Sequence, residues 1–231
     1  MTGMDRSTLY TFENIFGPII LAQDRIPSHS LEVWCSEDFM SEIGPPGEEP
    51  ENLPAPADMI DMWDLRPAED GGQKWLRMRR ASLCKTGNVV ASIRVNPPGS
   101  TDFIRFCPQH LSRFLAGHEL SLDLTSPVRQ YPDRIHLDMI RDSSMCGALI
   151  HELSHSTLLL DRMFTLDIKG ETNGYYWREV IHHAQNNPVL AIKNADNFQY
   201  FVLAMFLNRN HWGTGQSEAM FGSGPARASP P

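Results

Sequence analysis

One run, residues 145–160, MCGALIHELSHSTLLL, limits what this chain can fold into more than any other segment. It carries His151 and His155 four positions apart in an otherwise apolar stretch, with Glu152 directly after the first. Asp142, Ser143 and Ser144 precede it and offer helix caps. The spacing predicts an α-helix on which both imidazoles lie on one face and reach a single ion. Neutral imidazole is a preferred zinc ligand, and catalytic zinc sites keep one position open for water. Glu152 stands one step round the helix, close enough to accept a proton from a water whose pKa the metal lowers. This is the mechanics behind the zinc peptidase pattern. The plain alternative is an exposed helix whose His and Glu face solvent. Cys146, Gly147, Ala148, Leu149 and Ile150 argue against it, because an apolar, closely packing turn is what a buried metal helix needs.

Composition narrows the function classes. Hydrophobic residues make up 41% of 231 residues, enough for a sizeable core. Asp and Glu number 28 against 20 Lys and Arg, a net charge of −8. That argues against a sequence-independent grip on nucleic acid, which needs cations to neutralise phosphates, and it permits attraction of basic substrates. No long apolar run predicts a membrane span, so no membrane partner is expected. The start has one short apolar patch, residues 16–22, without a basic leader or cleavage site. The protein is then intracellular, or secreted if a presequence has been removed. Four cysteines, Cys35, Cys84, Cys107 and Cys146, allow three pairings, and none lies in a CxxC.

Residues 43–58, IGPPGEEPENLPAPAD, read as a solvated loop. Residues 88–96, NVVASIRVN, predict a strand, and after Pro97, Pro98 and Gly99 a second follows in DFIRFC, residues 102–107. There Phe103 and Arg105 alternate with Ile104 and Phe106 on opposite faces. Further helices are expected over residues 175–185, stopped by Asn186, Asn187 and Pro188, and over 195–208. The last shows Phe198, Phe201, Val202 and Met205 at helical spacing as one apolar face. Trp63, Trp75, Met78 and Met163 read as core or contact residues, and Arg77, Arg79 and Arg80 as a solvated basic face. Strands first and helices after favour an α+β class, with one domain over residues 1–212 and a disordered tail over 213–231.

A zinc site needs a third protein ligand. No further His follows at a metal-binding spacing, and His182 and His183 read as helix-surface or partly packed residues. The downstream carboxylates are Asp161, Asp167, Glu171, Glu179 and Asp196. A carboxylate is therefore the expected partner.

Several separated blocks resemble the aspzincin metallopeptidases, the deuterolysin and peptidyl-lysine metalloendopeptidase family found largely in fungi. FCPQHL at Cys107 resembles its strand-and-turn segment, and LIHELSH its zinc helix. NGYYW, residues 173–177, resembles its tyrosine-bearing segment, and IKNADNFQYF its closing helix. The resemblance covers residues 102–206 and implies a zincin-like fold, a Zn²⁺ cofactor and hydrolysis of protein or peptide substrates. It implies that Tyr175 hydrogen-bonds the substrate carbonyl as its oxygen gains charge. It also gives Asp196 the role of facing a Lys after the cut, with Gln199 in place of a companion acid. The family's third ligand is an aspartate three residues before the tyrosine, and Thr172 stands there. A longer loop after His155 could deliver another carboxylate, with Asp167 the first choice and Glu171 the second. The alternatives are a catalytically silent relative that binds a partner or sequesters zinc, and a zinc enzyme acting on a small molecule.

Overall fold

A computed structural model describes residues 31–50, 54–86, 89–94, 102–115, 134–160, 164–168, 175–207 and 210–219. Several expectations lie outside these ranges: the apolar patch at 16–22, the turn at Pro97, Pro98 and Gly99, the ligand candidates Asp161 and Glu171, Met163, Thr172 and the tail over 220–231. The sequence reading drew one domain over residues 1–212. The structure groups the chain into two compact units, Met1–Leu115 with Glu152–Phe164, and Ala116–His151 with Thr165–Pro231.

The strands, in chain order, are β1 (Leu31–Trp34), β2 (Met40–Ser41), β3 (Met59–Asp64), β4 (Trp75–Arg79), β5 (Ala91–Arg94), β6 (Asp102–Phe106), β7 (Asn210–His211) and β8 (Glu218–Ala219). The helices are α1 (Pro108–Leu115), α2 (Leu137–Ser143), α3 (Met145–Ser154), α4 (Thr157–Leu160), α5 (Tyr176–Asn186), α6 (Pro188–Ala191) and α7 (Ala195–Phe206). The class is α+β, with small sheets. Among the described residues no helix is long and apolar enough to cross a membrane.

The first unit holds two three-stranded sheets, in orders β1-β6-β5 and β2-β3-β4. The second was not foreseen, and its register explains it. Ile60 pairs with Met78 and Met62 with Leu76, so alternate residues of both strands enter one core with Phe39, Met40, Leu83 and Phe103. Asp61 pairs with Arg77, and the guanidinium holds that carboxylate 2.8 Å away and below the usual Asp range. Met78 is buried as expected of a core residue, and Arg79 and Arg80 are exposed as expected of a solvated face, while Arg77 is part-exposed and engaged across the pair.

Strand β6 runs parallel to β1 and antiparallel to β5. All five of its residues are buried, so the predicted alternation of faces does not separate core from solvent. A central strand covered on both sides accepts a charge only if that charge is paired. Arg105, fully buried, is met by Glu37 at 2.8 Å and donates to the Ser82 carbonyl at 2.6 Å and Ser92 Oγ at 2.8 Å. Cys84 and Cys107 form a disulfide at the end of β6, while Cys35 and Cys146 are free thiols.

The second unit is helical around Leu137, Ile140, Val180, Tyr200, Leu203, Leu207 and Trp212. Leu137 and Ile140 share one face of α2, and Tyr200 and Leu203 one face of α7, at the three-residue spacing of a helix. The α7 stripe differs from the expected one: Phe198 is buried, but Met205 is 55% exposed, and Asp196 and Gln199 are buried in its place. A hydropathy pattern cannot select polar residues for the inner face. Here hydrogen bonds satisfy the Asp196 carboxylate. Asn187 closes α5 and caps α6, accepting from the Leu190 amide at 3.1 Å, with Pro188 at the first helical position. Residues 213–219, placed with the tail on sequence grounds, instead form a turn and β8, which pairs with β7. Gly215 (φ +81°) packs so closely that an added Cβ would lie 2.2 Å from Trp177 Cδ1.

Candidate metal centre

Helix α3 forms as its sequence directs. Ser144 Oγ accepts the Gly147 amide at 2.9 Å, the expected cap, and the apolar run carries α3 to Ser154. The end tightens: the His155 amide bonds to the Glu152 carbonyl at 3.0 Å and the Ser156 amide to Leu153 at 3.1 Å. These three-residue closures stop the helix just after His151 and His155 have been brought to one face. Ser156, fully buried, then donates to Asp102 Oδ2 at 3.0 Å and ties the turn to the start of β6.

Asp167 reaches the site through a second local structure. Leu166 bridges in parallel to Asn194, its amide bonding to the Lys193 carbonyl at 2.8 Å and its carbonyl accepting the Ala195 amide at 3.2 Å. The bridge fixes Asp167, whose Oδ1 stands 3.1 Å from His151 Nε2. His151, His155 and Asp167 each offer a ligand atom, and all three atoms lie within 4.8 Å of one another. Two imidazoles and one carboxylate are a donor set that suits a divalent transition metal, and ligands at about 2.0–2.2 Å from a tetrahedral ion lie about 3.4 Å apart. The group could hold a metal ion, and it is the one such group found among the described residues.

The other expected site residues fall as follows. Glu152 is buried, 8% exposed, next to His151 on α3, and its charge acts on the buried Arg105 guanidinium. Burial pushes Arg105 down in proton affinity, and Glu37 and Glu152 partly offset this. Tyr175, at the cap of α5, lies nearly parallel to the His151 ring, interplanar angle 22° and centroids 6.3 Å apart. Asp196 was expected to face substrate; it is fully buried, with Oδ1 2.8 Å from His151 Nδ1. Gln199, in the companion position, is buried against α3, where its Nε2 lies 2.8 Å from a Cβ placed on Gly147. His183 is buried on α5 and forms no part of the metal group.

One residue escaped the sequence reading. Arg141, on α2, reaches the Asp196 carboxylate at 3.3 Å and lies under the rings of Tyr175 and Tyr176, 5.8 and 5.1 Å from their centroids. Burial alone would weaken its hold on a proton, yet Asp196, Tyr200 and Asp142 keep the guanidinium above its ordinary range. It is 55 residues from Asp196 in the chain, and no local motif signals the pairing.

A separate cleft of about 430 Å³ in the first unit is lined by Asp61, Trp63, Lys74, Trp75 and Arg77, among others, and shares no residue with the metal group. Compared with known proteins, the chain matches no family model, no curated protein and no solved structure.

Proposed function

We propose that this protein is a zinc-dependent endopeptidase of the aspzincin type, with His151, His155 and Asp167 as metal ligands. The observation that carries the reading is the meeting of two helix-borne imidazoles with a carboxylate from a distant segment, the one considered first on sequence grounds. Thr172 holds the position that the family resemblance gives to the ligand aspartate, and Asp167, twelve residues after His155, supplies that donor instead. The Cys84–Cys107 disulfide suits a chain that works in an oxidising compartment.

When bound, zinc supplies Lewis acidity and makes a water nucleophilic near neutral pH. Glu152, one residue from a ligand, accepts that water's proton and returns it to the departing amine. Its burial, 8% exposed, shields it from bulk solvent. Tyr175 stands against His151, where a phenol O–H can donate to a carbonyl oxygen as it gains charge. The acidic net charge attracts basic polypeptide substrates and repels nucleic acid. No preference for Lys after the cut is included, because the carboxylate that would confer it is buried at His151.

Elemental analysis of purified protein tests the metal, with about one zinc per chain expected and lost in His151→Ala and His155→Ala. Glu152→Gln should keep its zinc and lose hydrolysis of a denatured protein substrate. Zinc retained by the double histidine variant refutes the site, and undiminished turnover in Glu152→Gln refutes the base. Zinc binding without hydrolysis in the wild type leaves the silent-relative reading.

A further inference from the structure

The carboxylate of Asp196 is occupied on every side that the structure describes. His151 Nδ1 stands 2.8 Å from Oδ1, Arg141 Nη2 lies 3.3 Å from the carboxylate, and the Tyr176 amide donates to Oδ2 at 3.2 Å. The side chain has no solvent exposure. It sits in the first turn of α7, where the helix dipole favours an anion. A group so placed cannot meet a substrate ammonium without giving up one of three donors.

We infer that Asp196 is a positioning residue that orients His151 toward the metal and, with Arg141, sets the segment carrying Tyr175. The inference rests on the metal reading above. A neutral imidazole has one donor and one acceptor nitrogen. Donation from Nδ1 to Asp196 places the proton on that nitrogen and leaves the Nε2 lone pair directed at Asp167 and the site of the ion. Ligating histidines recurrently hold a carboxylate this way, and it fixes both tautomer and ring direction.

Tyr176 has φ +72°, a left-handed conformation that a bulky non-glycine residue adopts only when its surroundings impose it. Two partners impose it here: Asp196 holds its amide, and the Arg141 guanidinium lies 5.1 Å from its ring centroid. Tyr175 precedes it and lies against His151, so the carboxylate that orients the ligand also fixes the start of α5. Arg141 is the counter-ion that makes a buried charge at this point tolerable.

The test compares wild type, Asp196→Asn, Asp196→Ala and Arg141→Lys by zinc competition with a chromophoric chelator and by the visible spectrum of the cobalt-substituted protein. Far-UV circular dichroism of each metal-free variant reports folding. Asp196→Asn keeps the shape and is expected to bind zinc about tenfold to a hundredfold more weakly, with an altered cobalt spectrum and an unchanged metal-free fold. Arg141→Lys, which keeps the charge but loses the fork, should weaken zinc less than Asp196→Asn. Should Asp196→Ala unfold, the Asn variant still decides. Zinc affinity within twofold of wild type in a folded Asp196→Asn, with His151→Ala still losing the metal, overturns this inference and leaves the metal site standing. A loss confined to substrates with Lys after the cut, at unchanged zinc affinity, returns Asp196 to the substrate side and also overturns it. A wild type that binds no zinc overturns both readings.

Discussion

Asp167→Ala offers the sharpest measurement of the proposed site, because Asp167 is the proposed ligand that the helix motif does not supply. Structural zinc sites are worth about 10–16 kcal/mol in all, so one ligand of four contributes about 3 kcal/mol, or about a hundredfold in Kd. The Asp167 side chain is 36% exposed, so a water molecule can fill the vacated position and hold the loss to that order rather than above it. The same exposure means that removing the side chain costs the metal-free fold little, which separates affinity from folding. Competition with a zinc-binding dye measures Kd, and urea unfolding of metal-free protein controls for stability. A Kd within threefold of wild type would refute the ligand assignment. A large loss confined to Glu171→Ala would move the third ligand there. Unchanged affinity in both variants would leave Glu179 or a two-histidine site, with the silent-relative reading in front.

Two further outcomes test the frame around the site. Gly215→Ala combines a left-handed backbone, about 1–2 kcal/mol, with overpacking against Trp177, about 1–3 kcal/mol, so urea unfolding should show a loss of about 2–5 kcal/mol. Much of that loss should vanish in a Trp177→Leu background, and an equal loss in both backgrounds would refute the clash. The Cys84–Cys107 bridge closes a loop of sequence separation 23, so the Cys84→Ser/Cys107→Ser variant should lose about 3 kcal/mol of stability, read by the same unfolding curves. Unfolding curves that overlay those of the oxidised protein would show that the bridge contributes nothing.

What could be read in advance follows the range of the interactions involved. The α3 helix, its Ser144 cap, the pair β5–β6 and the break at Asn187 and Pro188 are written in neighbouring residues, and the structure has all of them. The β2-β3-β4 sheet was missed because its strands are framed by charged residues. Asp61 and Arg77 look like a solvated pattern until the register pairs them. The α7 face was misplaced for a related reason: Asp196 and Gln199 are inside, and a rule that seeks apolar residues passes over them. Arg141 and Arg105 were invisible as buried cations, since their partners Asp196 and Glu37 lie far away in the chain. Among the candidate carboxylates, sequence distance alone could only rank Asp167 first.

The bridge between Leu166 and Asn194 supplies what ranking could not. It is a single parallel pairing, yet it fixes two carboxylates with respect to one imidazole. On one side of the pairing the chain continues by one residue to Asp167, which faces Nε2 of His151. On the other it continues by two residues to Asp196, which faces Nδ1. The Asn-Ala-Asp block therefore acts as a template for the proposed site: its backbone holds the segment that carries Asp167, and its own side chain holds the ring of His151. Because the pairing involves main-chain groups at Leu166, Lys193 and Ala195, it asks little of the side chains at those positions. A third ligand can then arrive from a loop of different length, provided the chain regains the same bridge before it reaches the metal. The proposed metal group is therefore compatible with Thr172 standing where the resembled family has its aspartate.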